Sequence, residues 1–245
     1  AVSAINNATA NELVTIGSTT TELDAESGLT YTDGALVIGG TTPSLTIGDA
    51  GAEDTKIVFD GNAQDFHIGL DDSADKLVIG LGSALGTTTH MAFDATGAIT
   101  KPLQPAFLSR GFTGDITTST GWTAITAWNT ETFDINSDFN TTNGTFTAPV
   151  TGKYYISLQI LATGHAQDAD LEYQIKASNY TTTVYAYTAV RNSDGSGTQY
   201  STCSNNLIMD MDASDTVYIN QICNPASSTL SSSATQTFFN GALIC

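Results

Sequence analysis

Between residues 106 and 245 the chain is cut into about eight strand-length apolar runs by turn-rich pieces at regular spacing, and this rhythm restricts its fold most. The runs are 130–135, 144–147, 153–161, 171–177, 184–190, 203–211, 217–223 and 236–244, after a first strand opening at Ala106-Phe107-Leu108. The intervening pieces, 163–169, 191–198, 212–215 and 224–233, are rich in Gly, Asn, Asp and Ser, which supply turn geometry. That many short strands at even spacing predict an all-β, two-sheet jelly roll. Antiparallel alternation then assigns the loops. If the last strand returns to the base where Pro105 enters, 163–169, 191–198 and 224–233 lie at the free tip and 212–215 at the base.

Two prolines of the chain's five stand in Lys101-Pro102-Leu103-Gln104-Pro105, where a central strand cannot continue. We read 102–105 as a linker and 106–245 as a head. Upstream, a short unit recurs as Leu36-Val37-Ile38-Gly39, Leu45-Thr46-Ile47-Gly48, Phe66-His67-Ile68-Gly69 and Leu77-Val78-Ile79-Gly80, with Val14-Thr15-Ile16-Gly17 as a degenerate copy. Residues i and i+2 of each copy face one side of a strand, and Gly is expected to end it. Strands this short bury little against a backbone entropy of about 1–2 kcal/mol per residue. Stacked repeats, or three chains with their apolar edges on one axis, would close a core. Residues 35–101 therefore read as a repetitive trimeric β shaft and 1–34 as an attachment segment. Its start, Thr9-Ala10-Asn11-Glu12, fits an irregular stretch or a short helix. The Leu-Asp-Asp-Ser-Ala-Asp-Lys-Leu-Val-Ile-Gly style of 70–80 resembles fibre proteins of bacteriophages.

Charge narrows the function. The net charge is −18, with 14 acids against three lysines in residues 1–104. No basic patch survives that balance, so binding nucleic acid through its phosphates is not expected. No apolar run reaches the roughly 18 residues that would span a membrane. The histidines, His67, His90 and His165, stand apart with no zinc spacing, and Asp194-Gly195-Ser196-Gly197 lacks the spacing of a nucleophile elbow. The chain is expected not to be an enzyme. His67, between Phe66 and Ile68, is expected to point outward.

Two motifs carry a further resemblance. Asn143-Gly144-Thr145-Phe146-Thr147-Ala148-Pro149-Val150-Thr151-Gly152-Lys153-Tyr154-Tyr155-Ile156-Ser157 and the final Phe239-Asn240-Gly241-Ala242-Leu243 resemble the globular head of complement C1q, a jelly roll shared with the tumour necrosis factor ligands. The resemblance covers about 105–245 and implies a homotrimer that displays binding loops. It also implies calcium near the trimer apex and aromatic packing at the axis, for which Tyr185 and Tyr187 are candidates. Asp168 and Asp170 are the metal candidates, set against a reading as solvated turn residues. The expected receptor-binding tip residues are Asp168, Asn192, Asp194, Tyr200 and Asn224. Folding the chain about Ala213 brings Cys203 opposite Cys223, which makes them either a cross-strand disulfide or two reduced thiols. Asp212 and Asp215 read as turn residues of that hairpin.

These readings combine into a homotrimeric fibre: a β shaft attached at its N-terminus to other virion proteins and a head that recognises a host-surface glycan or protein. Its place would be the virion surface. A capsid or tail decoration protein and a secreted bacterial adhesin are the alternatives.

Overall fold

The computed structural model describes residues 5–6, 12–16, 23–32, 34–180, 186–193 and 199–245. The chain divides into two compact units, residues 1–88 with 92–98, and 89–91 with 99–245. Nine longer strands build the second unit among the described residues: β1 (Ala106–Phe112), β2 (Trp128–Asp134), β3 (Thr145–Thr147), β4 (Gly152–His165), β5 (Asp170–Ala177), β6 (Ala186–Arg191), β7 (Gln199–Met211), β8 (Thr216–Asn224) and β9 (Phe238–Leu243). One antiparallel sheet runs β7-β4-β9-β1-β2, the other β3-β8-β5-β6. This is the jelly-roll pattern expected from the strand rhythm.

Strict alternation sends one side of each sheet inward. Tyr154, Ile156, Leu158 and Ile160 of β4 join Leu171, Tyr173 and Ile175 of β5 and Val217 and Ile219 of β8 in one buried cluster. Near its base the cluster is aromatic. The Phe107 ring stacks on Phe139 at 4.6 Å and on Phe146 at 4.8 Å, and meets Phe239 edge-on at 5.1 Å. Phe146 and Phe239 come from the two sequence motifs, so both converge on one ring. Gly241 makes this possible, because a β-carbon there would lie 2.8 Å from Phe107 Cε1 and 2.7 Å from Ile156 Cδ1. Gly144 has φ +69°, and a β-carbon there would collide with the carbonyl oxygen of Ile125. The Ala148–Gly152 corner is held by the Tyr154 hydroxyl, which donates to Val150 O at 2.7 Å.

Two expectations about the head change. β7 and β8 do not pair after the 212–215 turn but enter opposite sheets: Cys203 lies opposite Ile160 on β4, and Cys223 opposite Leu171 on β5. The face-to-face premise for a Cys203–Cys223 bridge therefore fails, and both are free, buried thiols. Nearness in sequence does not keep two strands paired when a long hairpin splits between two sheets. The turn itself behaves as expected, with Asp212 N–H donating to Asp215 Oδ2 at 2.8 Å.

In the first unit, Leu23–Thr32 pairs antiparallel with Glu12–Ile16 and Ala35–Ile38. Glu12–Ile16 is thus strand, not the start of a helix; Thr9, Ala10 and Asn11 lie outside the described residues. A second sheet aligns Thr55–Phe59, Phe66–Asp71 and Lys76–Leu81 in that order. The copy at 45–47 forms no strand. Gly69 and Gly80 do not end their strands either; they sit inside them, where a bare backbone is needed. A β-carbon on Gly80 would lie 2.6 Å from the His67 ring. That vacancy draws His67 inward: it is 1 % exposed, with Nδ1 2.8 Å from Gly82 O, contrary to the outward position expected.

Candidate functional site

Register decides which loops share an end. Leu243 N–H donates to Pro105 O at 2.9 Å, so the entry and exit of the head are neighbours at its base. At the opposite end Asp170 of β5 pairs with Arg191 of β6 on one side and Asn224 of β8 on the other. Residues 163–169, 191–193 and 224–233 therefore gather at that end.

Its interior is closed by polar groups that satisfy one another. His165 is fully buried, its Nδ1 2.7 Å from Ser201 Oγ and its Nε2 3.0 Å from Ala169 O. Asn192 is 5 % exposed; its Nδ2 donates to His165 O at 2.7 Å, and its carbonyl accepts from Asp168 N–H at 2.8 Å. Asn192 thus ties two loops together and is not presented to a ligand, which corrects its assignment as a contact residue. Thr118 and Ser228 lock the third loop in the same way: Thr118 N–H donates to Ser228 O at 2.8 Å, and Ser228 N–H to Thr118 Oγ1 at 2.7 Å.

The outside of the tip is where the remaining candidates lie. Arg191 bridges two of them, reaching Asp170 Oδ2 at 3.3 Å and Asp168 Oδ1 at 3.8 Å. The cation facing the two proposed calcium ligands is thus a guanidinium of the same chain, and among the described residues no three His, Cys, Asp or Glu side chains group to hold a metal. The aspartate pair was legible in the sequence; its pairing with a strand-end arginine 21 residues away was not. Tyr200 is 78 % exposed and Asn224 is exposed, both on strand ends at this tip. Asp194 lies outside the described residues. Beneath the tip, burial pushes the Cys203 thiol up to about 11. Burial likewise raises the Tyr173 phenol far above its ordinary range, with the neighbouring thiols adding to it.

A second surface was missed in the sequence. The outer side of the β7-β4-β9-β1-β2 sheet presents Ile208, Tyr155, Ala242 and Ala106 in one row. Next to it runs Asn206, Ser157, Asn240, Leu108 and Phe133. Across these two rows there is no charge, and Ile208, Tyr155 and Phe133 stand open to solvent. The signal was present as the odd-numbered positions of 153–161, but Tyr155 was read only as part of a motif. Tyr187 lies on β6, in the β3-β8-β5-β6 sheet, opposite Gln174; Tyr185 lies outside the described residues.

Known proteins match this architecture. The C1q domain model matches residues 111–244. Among solved structures, the globular domain of zebrafish complement 1qA is 20 % identical, with 58 % of this chain and 98 % of that one covered and a TM-score of 0.45. Eiger TNF from S. frugiperda is 13 % identical, covering 58 % and 93 %, with a TM-score of 0.49. Murine APRIL is 13 % identical, covering 58 % and 99 %, with a TM-score of 0.45. No curated protein matches the chain. With more than half its length, including both motifs, matched by that one family model, the chain belongs to the C1q domain family.

Proposed function

We propose that this chain is a homotrimeric, non-enzymatic binding protein: a bacteriophage fibre carried on the virion surface, whose head recognises a glycan or protein on the host cell. The observation that carries the assembly is the pair of uncharged rows on the outer face of the β7-β4-β9-β1-β2 sheet, with Tyr155 and Ile208 side by side and the Lys153–Asp210 ion pair at their edge. In an acidic molecule, copies meet where no carboxylates have to be brought together. C1q-type heads typically form trimers and bind ligands, which agrees with this use of the face. Three loop ends on one particle then bind by multivalency, each site weak and the array tight. The acidic, β-rich front half and its likeness to fibre repeats support the virion setting, with residues 1–34 joining other virion proteins.

Tyr200 is the tip residue best suited to stacking on a sugar ring, being an open aromatic at the same end of the head as the Asp168–Arg191 pair. Purified chain is expected to adsorb to host cells or their surface polysaccharide, with Tyr200→Ala reducing the adsorbed fraction at unchanged assembly mass. Equal adsorption by wild type and a chain lacking the head would refute the receptor role. The decoration-protein reading is favoured by the closed tip interior, where Asn192, His165 and Ser228 bond inward. Imaging of the particle separates the two, since a fibre projects and a decoration lies flat.

A further inference from the structure

The front unit carries an apolar sheet face that no single copy can sensibly leave in water. Ile57, Ile68 and Ile79 stand in register across three adjacent strands. Phe59 pairs with Phe66 on one side of this row, and Leu70 pairs with Leu77 on the other. Phe59 is 61 % exposed, and Ile57, Phe66, Leu70 and Leu77 are each more than 40 % exposed. The reverse face of the same strands is the closed one, with His67, Gly69, Val78 and Gly80 buried. The polarity of this sheet is thus inverted relative to an ordinary half-exposed sheet, which turns its apolar side to the core.

We infer that this face is a self-association surface, covered by the same face of two further copies of the chain. Three observations select that occupant. First, the exposed side chains offer on the order of 600 Å² of contiguous apolar surface, more than a single-copy soluble protein usually leaves open. Three such faces brought together give roughly 1,800 Å², the area of a stable specific interface. Second, residues 1–104 hold 14 acids and three lysines, yet none stands on the three rows. A copy meeting a copy there buries no charge and keeps the carboxylates on the outside. Third, the face is self-complementary in kind, isoleucine at its centre and larger side chains at its flanks, as an arrangement around a shared axis requires. The inference rests on the trimer reading of the head, which would hold three front units at high local concentration.

Site-directed cross-linking on the full chain tests it. In a Cys245→Ser background, which removes the exposed native thiol, Ile57→Cys places a thiol on the central row and Lys56→Cys places one on the reverse face. Both are exposed positions, so neither substitution threatens the fold. Under mild oxidation the Ile57→Cys chain is expected to form covalent dimers at least tenfold more than the Lys56→Cys chain, while both sediment at three times the chain mass. Trimeric mass with equal or absent cross-linking at the two positions overturns this inference and leaves the head reading standing. A single-copy mass overturns both.

Discussion

Gly241 is where one missing atom matters most. Its neighbours are the Phe107 ring and Ile156, both fully buried, so neither has room to yield. Gly241→Ala is expected to cost about 1–3 kcal/mol, measured by urea unfolding of the head signal. Phe107→Ala should cost about 3–5 kcal/mol, because it removes the ring that Phe139, Phe146 and Phe239 share. Equal stability of both variants and wild type would show that the aromatic knot is not what the two motifs encode. Thiol chemistry offers an independent reading of burial. Cys245 is exposed and should be alkylated at pH 8 in the native protein, whereas Cys203, buried and pushed up to about 11, should react only after unfolding.

Asp138 gives the pH dependence its sign. Burial raises its carboxyl above the ordinary range, the Asp134 charge adds to this, and Asn136 opposes it with a hydrogen bond. Its Oδ2 is buried without a hydrogen-bond partner. A carboxyl whose folded pKa exceeds its unfolded one binds more protons when folded, so stability falls as pH rises through that window and the loss is complete above it. Asp138→Asn should therefore raise the melting temperature at pH 7 and lose that advantage at about pH 3, below the unfolded pKa. A gain that persists at acid pH would assign the effect to something other than charge.

At the scale of elements, alternation made most of the head readable. The runs 153–161, 171–177 and 217–223 fall within β4, β5 and β8, because each has one buried and one open side and period-two patterning records that directly. Pairing was less legible. Cys203 and Cys223 are equidistant from Ala213, yet the strands bearing them part into different sheets, a choice made by the packing of β4 and β5 rather than by the turn. Glycines misled for a related reason: Gly69 and Gly80 look like strand ends in sequence, but they are gaps that admit Leu85 and His67. At the tip, loop location followed from strand counting, while the roles of Asn192 and Arg191 did not, since both depend on partners two or more segments away. Asn192→Ala should cost about 1–3 kcal/mol by leaving the buried His165 carbonyl without its donor. The same substitution should not weaken ligand binding beyond that stability loss. Binding lost at full stability would return Asn192 to the contact surface.

For the whole molecule, two apolar faces on separate parts of one chain call for the same solution. The head offers Tyr155 and Ile208 within two uncharged rows of a sheet face, and the front unit offers the Ile57–Ile68–Ile79 row. The apolar side of the front repeats was legible as i, i+2 pairs, whereas the Tyr155–Ile208 face was not, because a sequence does not show which apolar residues a fold leaves uncovered. Sedimentation equilibrium of the intact chain beside an Ile208→Asp variant is the most direct measurement of the shared claim. We predict three times the chain mass for wild type and a weakened or dissociated assembly for Ile208→Asp, with strand content retained. A folded wild-type chain that sediments at the mass of one copy would contradict the account.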